Sequence, residues 1–274
     1  MPHVTTPAGV RLFFDTFGDP AQPPLLLIQG LGAHLLGWRH ELCQQIADAG
    51  FHVVRFDNRD VGLSQKFPEG GYDLADLAAD AQGLLVALDL APAHVVGQSM
   101  GGMIAQQLTL DHPEVVRTLA LVYTSPSTAY FAGADLVDER MELPRAHDRA
   151  EAVELYLRNE EPCQSPGYPA DLDWLRELGG LMWDRDYDPD GVVRQFAAVI
   201  ESEDRTAALR EIAVPTTILH GEADRLISAA ASKAIHLAIP GSTCKIFPGM
   251  GHELPRPLWP EIVTAISTNA GKAE

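Results

Sequence analysis

Short apolar runs alternate with segments of helical spacing over the first 123 residues. VRLFFDTFG reads as a strand ended by the turn cluster GDPAQPP, and PLLLIQG is a continuous apolar run, as expected of a strand buried on both faces. Leu36 to Ala49 carries Leu42, Ile46 and Ala49 at helical spacing, and Gly50 stops it. FHVVRFD predicts the next buried strand, and DLADLAADAQGLLVALDL a helix with Asp73 as N-cap. HVVG is again strand-like, SMGGMIAQQLTLDH is a helix ended by Pro113, and VRTLALVYT returns to a strand. This rhythm predicts an α/β protein with a mostly parallel sheet flanked by helices.

Residues 124–205 break the rhythm. They hold no buried-strand run but several amphipathic helical stretches, such as AEAVELYLRNEE and DLDWLRELGGLMW. Alternation then resumes through PTTILHGEAD, AAASKAIHLAI, STCKIFPGMGH and PLWPEIVTAISTNA. The pattern predicts one α/β core formed by 1–123 and 206–274, interrupted by a helical cap, or lid, at 124–205. No internal repeat or low-complexity segment is visible.

Charge sharpens that division. The chain of 274 residues carries a net charge of −18. Residues 124–205 hold 19 acidic and 8 basic side chains, half of the 38 carboxylates in under a third of the length. Such acidity argues against nucleic acid and against an anionic membrane surface as partners. No apolar run approaches the roughly 20 residues of a membrane span. The start MPHVTTPAGVRLFF lacks the basic-then-apolar pattern of a secretory leader, and Cys43, Cys163 and Cys244 are scattered. These features suit a reducing compartment, with the cytoplasm expected, no disulfide framework and no metal-binding spacing.

One stretch carries chemistry. In HVVGQSMGGMIAQ, Ser99 stands between small or flexible residues where a predicted strand becomes a predicted helix. A glycine-serine turn without chemistry is the plain alternative. The strand–turn–helix context instead fits a nucleophile elbow, whose strained turn presents the hydroxyl and whose helix N-terminus favours a developing oxyanion. A serine nucleophile needs a base and a group to orient that base. Asp224, in the turn after PTTIL, and His252, in PGMGHEL, follow in the required order at the C-terminal ends of their strands. Glu222 is a rival acid. His220 is a rival base but reads better as a packed histidine at the end of its own strand. In LLLIQGLGAH, a glycine-rich loop can donate the N–H of Leu31 opposite that of Met100. A dinucleotide fingerprint there would need a glycine at position 35, which is Leu35. His34 and His40 have no partner at ligand spacing, so neither metal nor other cofactor is expected.

Together, QGLG, FDNRDVGLS, GQSMGGMIAQ, HGEAD and GMGH make the chain resemble an α/β-hydrolase along nearly its full length. The resemblance implies Ser99 as nucleophile, Asp224 as acid, His252 as base, and Leu31 and Met100 as oxyanion donors. It departs from many members in having Gln29-Gly30 where they have His-Gly. The backbone donor survives that change, but the bonds bracing the loop must differ. A serine nucleophile excludes the aspartate-dependent dehalogenases and epoxide hydrolases. Within the family, LIQGLGAHLLGW and VVRFDNRDVGLS resemble bacterial esterases of the aclacinomycin methylesterase type and serine esterases that open macrolide antibiotics. Asp57, Arg59 and Asp60 read as loop braces.

The function expected is therefore hydrolysis of an ester or lactone of a bulky apolar small molecule, with a polyketide antibiotic as the leading class. A general short-chain esterase, an enol-lactonase or a C–C hydrolase is the alternative within the fold, and a non-catalytic ligand-binding protein the one outside it. Leu35, Trp38 and Met103 from the core, with Met182 and Trp183 among the cap's aromatic and methionine side chains, are expected to line the pocket. The acidic cap reads either as a solvated surface or as attraction for a cationic substrate. Oligomeric state is left open.

Overall fold

A computed structural model describes residues 2–131 and 144–273. Eight strands, β1 (His3–Thr5), β2 (Arg11–Phe17), β3 (Pro24–Ile28), β4 (His52–Phe56), β5 (Ala93–Gln98), β6 (Val116–Val122), β7 (Thr216–Gly221) and β8 (Thr243–Phe247), form one sheet in the order β1-β2-β4-β3-β5-β6-β7-β8. β1 and β2 run antiparallel to their neighbours and the rest are parallel, as the apolar runs predict. The short β1 carries too few residues to announce itself by pattern.

The sheet separates two apolar layers, and the strands alternate between them. In β3, Leu26 and Ile28 join one layer while Leu25 and Leu27 join the other. The first layer is closed by α2 (Leu74–Ala87), α3 (Met100–Asp111) and α7 (Ala230–Ala238), the second by α1 (His40–Asp48) and α8 (Trp259–Ala270). Burial of each such leucine contributes roughly 1.5–3 kcal/mol. Asp73 caps α2 as expected, accepting from Asp76 N while the Asp76 carboxylate accepts from Asp73 N. The helix expected from Leu36 begins at His40 instead, preceded by a 3-10 turn over Leu35–Gly37.

Between β6 and β7 lie α4 (Arg149–Glu160), α5 (Leu172–Arg185) and α6 (Pro189–Ile200). The predicted cap also contains 132–143, which fall outside the described residues. From β3 the chain passes to β4 on one side, and from β5 to β6 on the other, so the connections leaving the adjacent C-terminal ends of β3 and β5 diverge. The register pairs Ile28 with Gly97, which places Gln29 and Gln98 together at that crevice, the position where open α/β sheets bind ligands.

Candidate active site

Ser99 has φ +55° and ψ −123°, a conformation that a side-chain-bearing residue adopts only when its surroundings hold it there. Those surroundings are backbone. A Cβ on Gly101 would collide with the carbonyls of Ile28 and Gln29, and one on Gly97 with the carbonyl of Gly101. Glycine at both positions lets α3 start directly against the strand ends. The Ser99 carbonyl accepts from Gly102 N, Met103 N and Thr124 Oγ1, so the turn is tied on both sides.

His252 Nε2 lies 2.8 Å from Ser99 Oγ, and His252 Nδ1 lies 2.7 Å from Asp224 Oδ2. The three predicted side chains thus form one hydrogen-bonded line. Asp224 Oδ1 accepts from the N–H groups of Leu226 and Ile227 at 2.8 and 2.9 Å. Burial pushes the Asp224 carboxyl up, but the charge of His252 and the hydrogen bonds from His220 and His252 outweigh it and hold the carboxyl well below its ordinary range. Glu222 is exposed and stands outside this network.

His220 is packed, as expected, and fully buried. Its Nε2 is 3.0 Å from the Ile227 carbonyl and 3.2 Å from Asp224 Oδ2, and its Nδ1 is 2.6 Å from Ser232 Oγ. Two acceptors face Nε2, so that nitrogen carries the proton and Nδ1 accepts from Ser232. The contact with the acid is beyond sequence reading, although a histidine four residues before Asp224 was its visible sign.

The departure at Gln29 has a structural answer. Gln29 Oε1 accepts from Gly30 N at 2.7 Å and also from Gln98 Nε2. That leaves Gln98 Oε1 to accept from Tyr123 OH at 2.5 Å. Burial pushes the Tyr123 phenol well above its usual range, so it stays a donor, and its ring centroid lies 4.6 Å from that of His252. Gln29 therefore braces the loop to the floor beneath the histidine. Gly30 abuts the nucleophile, since a Cβ there would sit 3.2 Å from Ser99 Cβ. Met100 N–H is in the first turn of α3, where helical N–H groups lack intrahelical acceptors.

A cavity of about 450 Å³ opens over Ser99 and His252. Met103, Met182 and Trp183 line it as expected, together with Phe131, Leu178 and Phe196. Leu35 and Trp38 do not: each is 1% exposed and turned into the interior by the 3-10 turn. Leu35 N–H is held by Asp57 Oδ1 and the Trp38 carbonyl by Arg55. The braces read from FDNRDVGLS reach farther than expected. Asp57 pairs with Arg185 of α5 at 2.8 Å, Asp60 with Arg194 of α6 at 2.8 Å, and Arg59 with Asp80 of α2 at 2.6 Å. Among the described residues, no group of three or more His, Cys, Asp or Glu side chains converges as a metal site requires.

A family profile described as the alpha/beta hydrolase fold matches residues 23–255. The chain is 28% identical to the rhodomycin D methylesterase DnrP of Streptomyces peucetius, covering 96% of each chain. It is 30% identical to the pimeloyl-[acyl-carrier protein] methyl ester esterase of Chromobacterium violaceum, over 89% of this chain and 91% of that one. Among solved structures, a hydrolase from Pseudomonas aeruginosa PA01 superposes with a TM-score of 0.77 at 26% identity, covering 99% and 97% of the two chains.

Proposed function

The chain belongs to the alpha/beta hydrolase family and is a carboxylic-ester hydrolase, and on that premise we propose that it cleaves an ester or lactone of a bulky, apolar small molecule through Ser99, His252 and Asp224. The observation that carries this reading is the placement of Ser99 Oγ, 2.8 Å from His252 Nε2, beneath a cavity of about 450 Å³ whose mixed lining includes the large apolar side chains of Met103, Phe131, Leu178, Met182, Trp183 and Phe196. Such a volume suits a drug-sized ligand.

Ser99 Oγ attacks the carbonyl carbon while His252 Nε2 takes its proton. The carbonyl oxygen becomes an oxyanion between Leu31 N–H and Met100 N–H. Asp224 holds Nδ1–H of His252 and stabilises the imidazolium. Collapse breaks the ester C–O bond, and the leaving alcohol takes the proton from His252. Water then attacks the acyl-enzyme with His252 again as base, releasing the carboxylic acid and restoring Ser99.

A polyketide is the substrate class we favour, as an anthracycline-type methyl ester or a macrolide lactone. Two relatives are named for methyl esters carried on larger molecules, which supports the first of these. Helices α4 to α6 act as the lid. Six aspartates on or beside α5 and α6 are ion-paired: Asp171 with Arg39 and Arg256, Asp173 with Arg176, Asp184 with Arg149, Asp186 with Lys66, Asp188 with Arg194 and Asp190 with Arg145. This favours the solvated-surface reading over attraction of a cation. The scattered cysteines Cys43, Cys163 and Cys244 suit a reducing compartment such as the cytoplasm. Among the described residues no helix is long and apolar enough to cross a membrane.

The test is a mass-spectrometric hydrolysis screen across anthracycline methyl esters, macrolides and simple acyl esters. We expect kcat/KM to be highest for one of the polyketides. Preference for the small acyl esters would make the protein a general carboxylesterase.

A further inference from the structure

The N–H groups of Gly30, Leu31 and Gly32 follow one another at the mouth of the crevice, and side-chain amides hold the outer two. Gln29 Oε1 accepts from Gly30 N at 2.7 Å, and Gln195 Oε1 of α6 accepts from Gly32 N at 2.9 Å. Leu31 N–H lies between them, and among the described residues it meets no acceptor. Gln195 is fully buried, and its Nε2 donates to the Arg59 carbonyl at 2.7 Å. Both ends are therefore specified: a rotated amide would set donor against donor at Gly32 and acceptor against acceptor at Arg59.

Helix α6 is itself seated on these two loops. A Cβ on Gly191 would collide with the Asp60 carbonyl, so the helix begins flat against that backbone. Arg194 donates to both oxygens of Asp60 at 2.8 and 2.9 Å. Val192 packs on Gly32, whose φ of +68° favours glycine and where a Cβ would lie 2.9 Å from Val192 Cγ1. Everything that fixes Gln195 thus also fixes the distance between α6 and the turn bearing Leu31.

We propose that Gln195 is a positioning residue for the oxyanion site, supplied by α6 rather than by the sheet: its buried amide sets the Gly30–Gly32 turn so that Leu31 N–H meets the developing oxyanion. This rests on the roles of Ser99 and Leu31 argued above. The lid helix then completes the catalytic constellation as well as covering it. Pinning the peptide on either side of Leu31 N–H gives the preorganisation that makes an oxyanion donor effective, because no loop reordering is needed during reaction.

Gln195→Leu keeps the approximate volume and removes both bonds. Loss of an oxyanion donor costs about 10²–10³ in kcat, and a donor displaced rather than deleted is expected to cost about 10- to 100-fold. With p-nitrophenyl acetate, kcat should fall by that factor with KM little changed, and affinity for a phenylboronic acid, which forms a tetrahedral adduct on serine, should fall in parallel. Gln195→Glu supplies a second readout. Its neutral carboxyl can accept from Gly32 and donate to Arg59, as the amide does, whereas the carboxylate cannot donate. Taking the ratio of variant to wild-type kcat removes the pH dependence common to both, and that ratio should rise as pH falls from about 8 to about 6.

Unchanged kcat and boronate affinity in Gln195→Leu, or a change confined to KM, would overturn the proposal. Should that variant fail to fold, a flat ratio for Gln195→Glu overturns it alone. Ser99→Ala separates the two levels: if it is inert while Gln195→Leu matches wild type, only this inference fails, and if Ser99→Ala turns over, the reading beneath it fails.

Discussion

His220 and His252 approach the same oxygen of Asp224, Oδ2, at 3.2 and 2.7 Å. The other oxygen is already committed to the N–H groups of Leu226 and Ile227. This asymmetry determines what Asp224→Asn must do. The two backbone donors select the asparagine carbonyl for the Oδ1 position, so its NH₂ faces both histidines. His252 Nδ1 must then present its lone pair, and Nε2–H can no longer take the proton of Ser99. We expect kcat to fall by about 10³- to 10⁴-fold with the fold retained. Glu222→Gln should stay near wild type. Activity surviving in Asp224→Asn but lost in Glu222→Gln would reverse the assignment of the acid.

Asp57 and Arg185 offer a test of how the helices between β6 and β7 are held. The Asp57 side chain is 0% exposed and that of Arg185 16%, and the same carboxylate also holds Leu35 N–H and Leu63 N–H. Removing the arginine strands a buried charge, which typically costs about 3–5 kcal/mol. Arg149 and Asp184 form a pair on the same helices with side chains 53% and 49% exposed. Exposed pairs contribute about 0–1 kcal/mol. Urea unfolding should show Arg185→Leu strongly destabilised and Arg149→Leu hardly changed; equal losses would mean that burial does not distinguish the two.

Three buried histidines, His34, His52 and His94, contribute to the acid limb of stability, each lowered by burial. Burial lowers both His34 and His94 from 6.5 to about 4. The unfolded chain therefore binds protons from pH 6.5 downward while the native state does not until about 4. Stability must fall as pH drops through that window, by about 1.4 kcal/mol per pH unit for each histidine. Asp224 acts later: its depressed carboxyl contributes fully above its ordinary 3.8 and loses that contribution only as pH falls below it. In unfolding measured between about pH 7 and pH 5, His94→Asn should reduce the wild-type slope by up to about 1.4 kcal/mol per pH unit. An unchanged slope would reject His94 as a contributor.

Salt separates the two readings of the acidic helices. With six aspartates on or beside α5 and α6 paired to arginine or lysine, ionic strength should alter the affinity of Ser99→Ala equally for an aminosugar-bearing polyketide and a neutral one of similar size. Attraction of the cation would instead weaken as the Debye length shrinks below about 10 Å, and a loss of affinity confined to the aminosugar ligand would restore that role.

Much of the site was legible because its members lie at strand ends. Ser99, Asp224 and His252 each follow an apolar run, and glycine marks the close approaches around Ser99. What the sequence hid depends on distant partners. Leu35 and Trp38 have the composition of pocket residues, but the Asp57 and Arg55 side chains hold their backbone and turn them inward. Gln195 looks like any polar residue on an amphipathic helix until Gly32, 163 positions earlier, is seen against it. The Gln29–Gln98–Tyr123 chain was hidden for the same reason, joining residues brought together only by the pairing of β3, β5 and β6.

The acyl-enzyme mechanism proposed above stands on Ser99 as its nucleophile. The direct measurement is intact-protein and peptide mass spectrometry after treatment with a fluorophosphonate, which forms a stable adduct with an activated serine. We expect a single adduct on the peptide containing Ser99, loss of hydrolysis in proportion to labelling, and no labelling of Ser99→Ala. An adduct on another residue, or an unlabelled Ser99→Ala that still hydrolyses the ester, would contradict it.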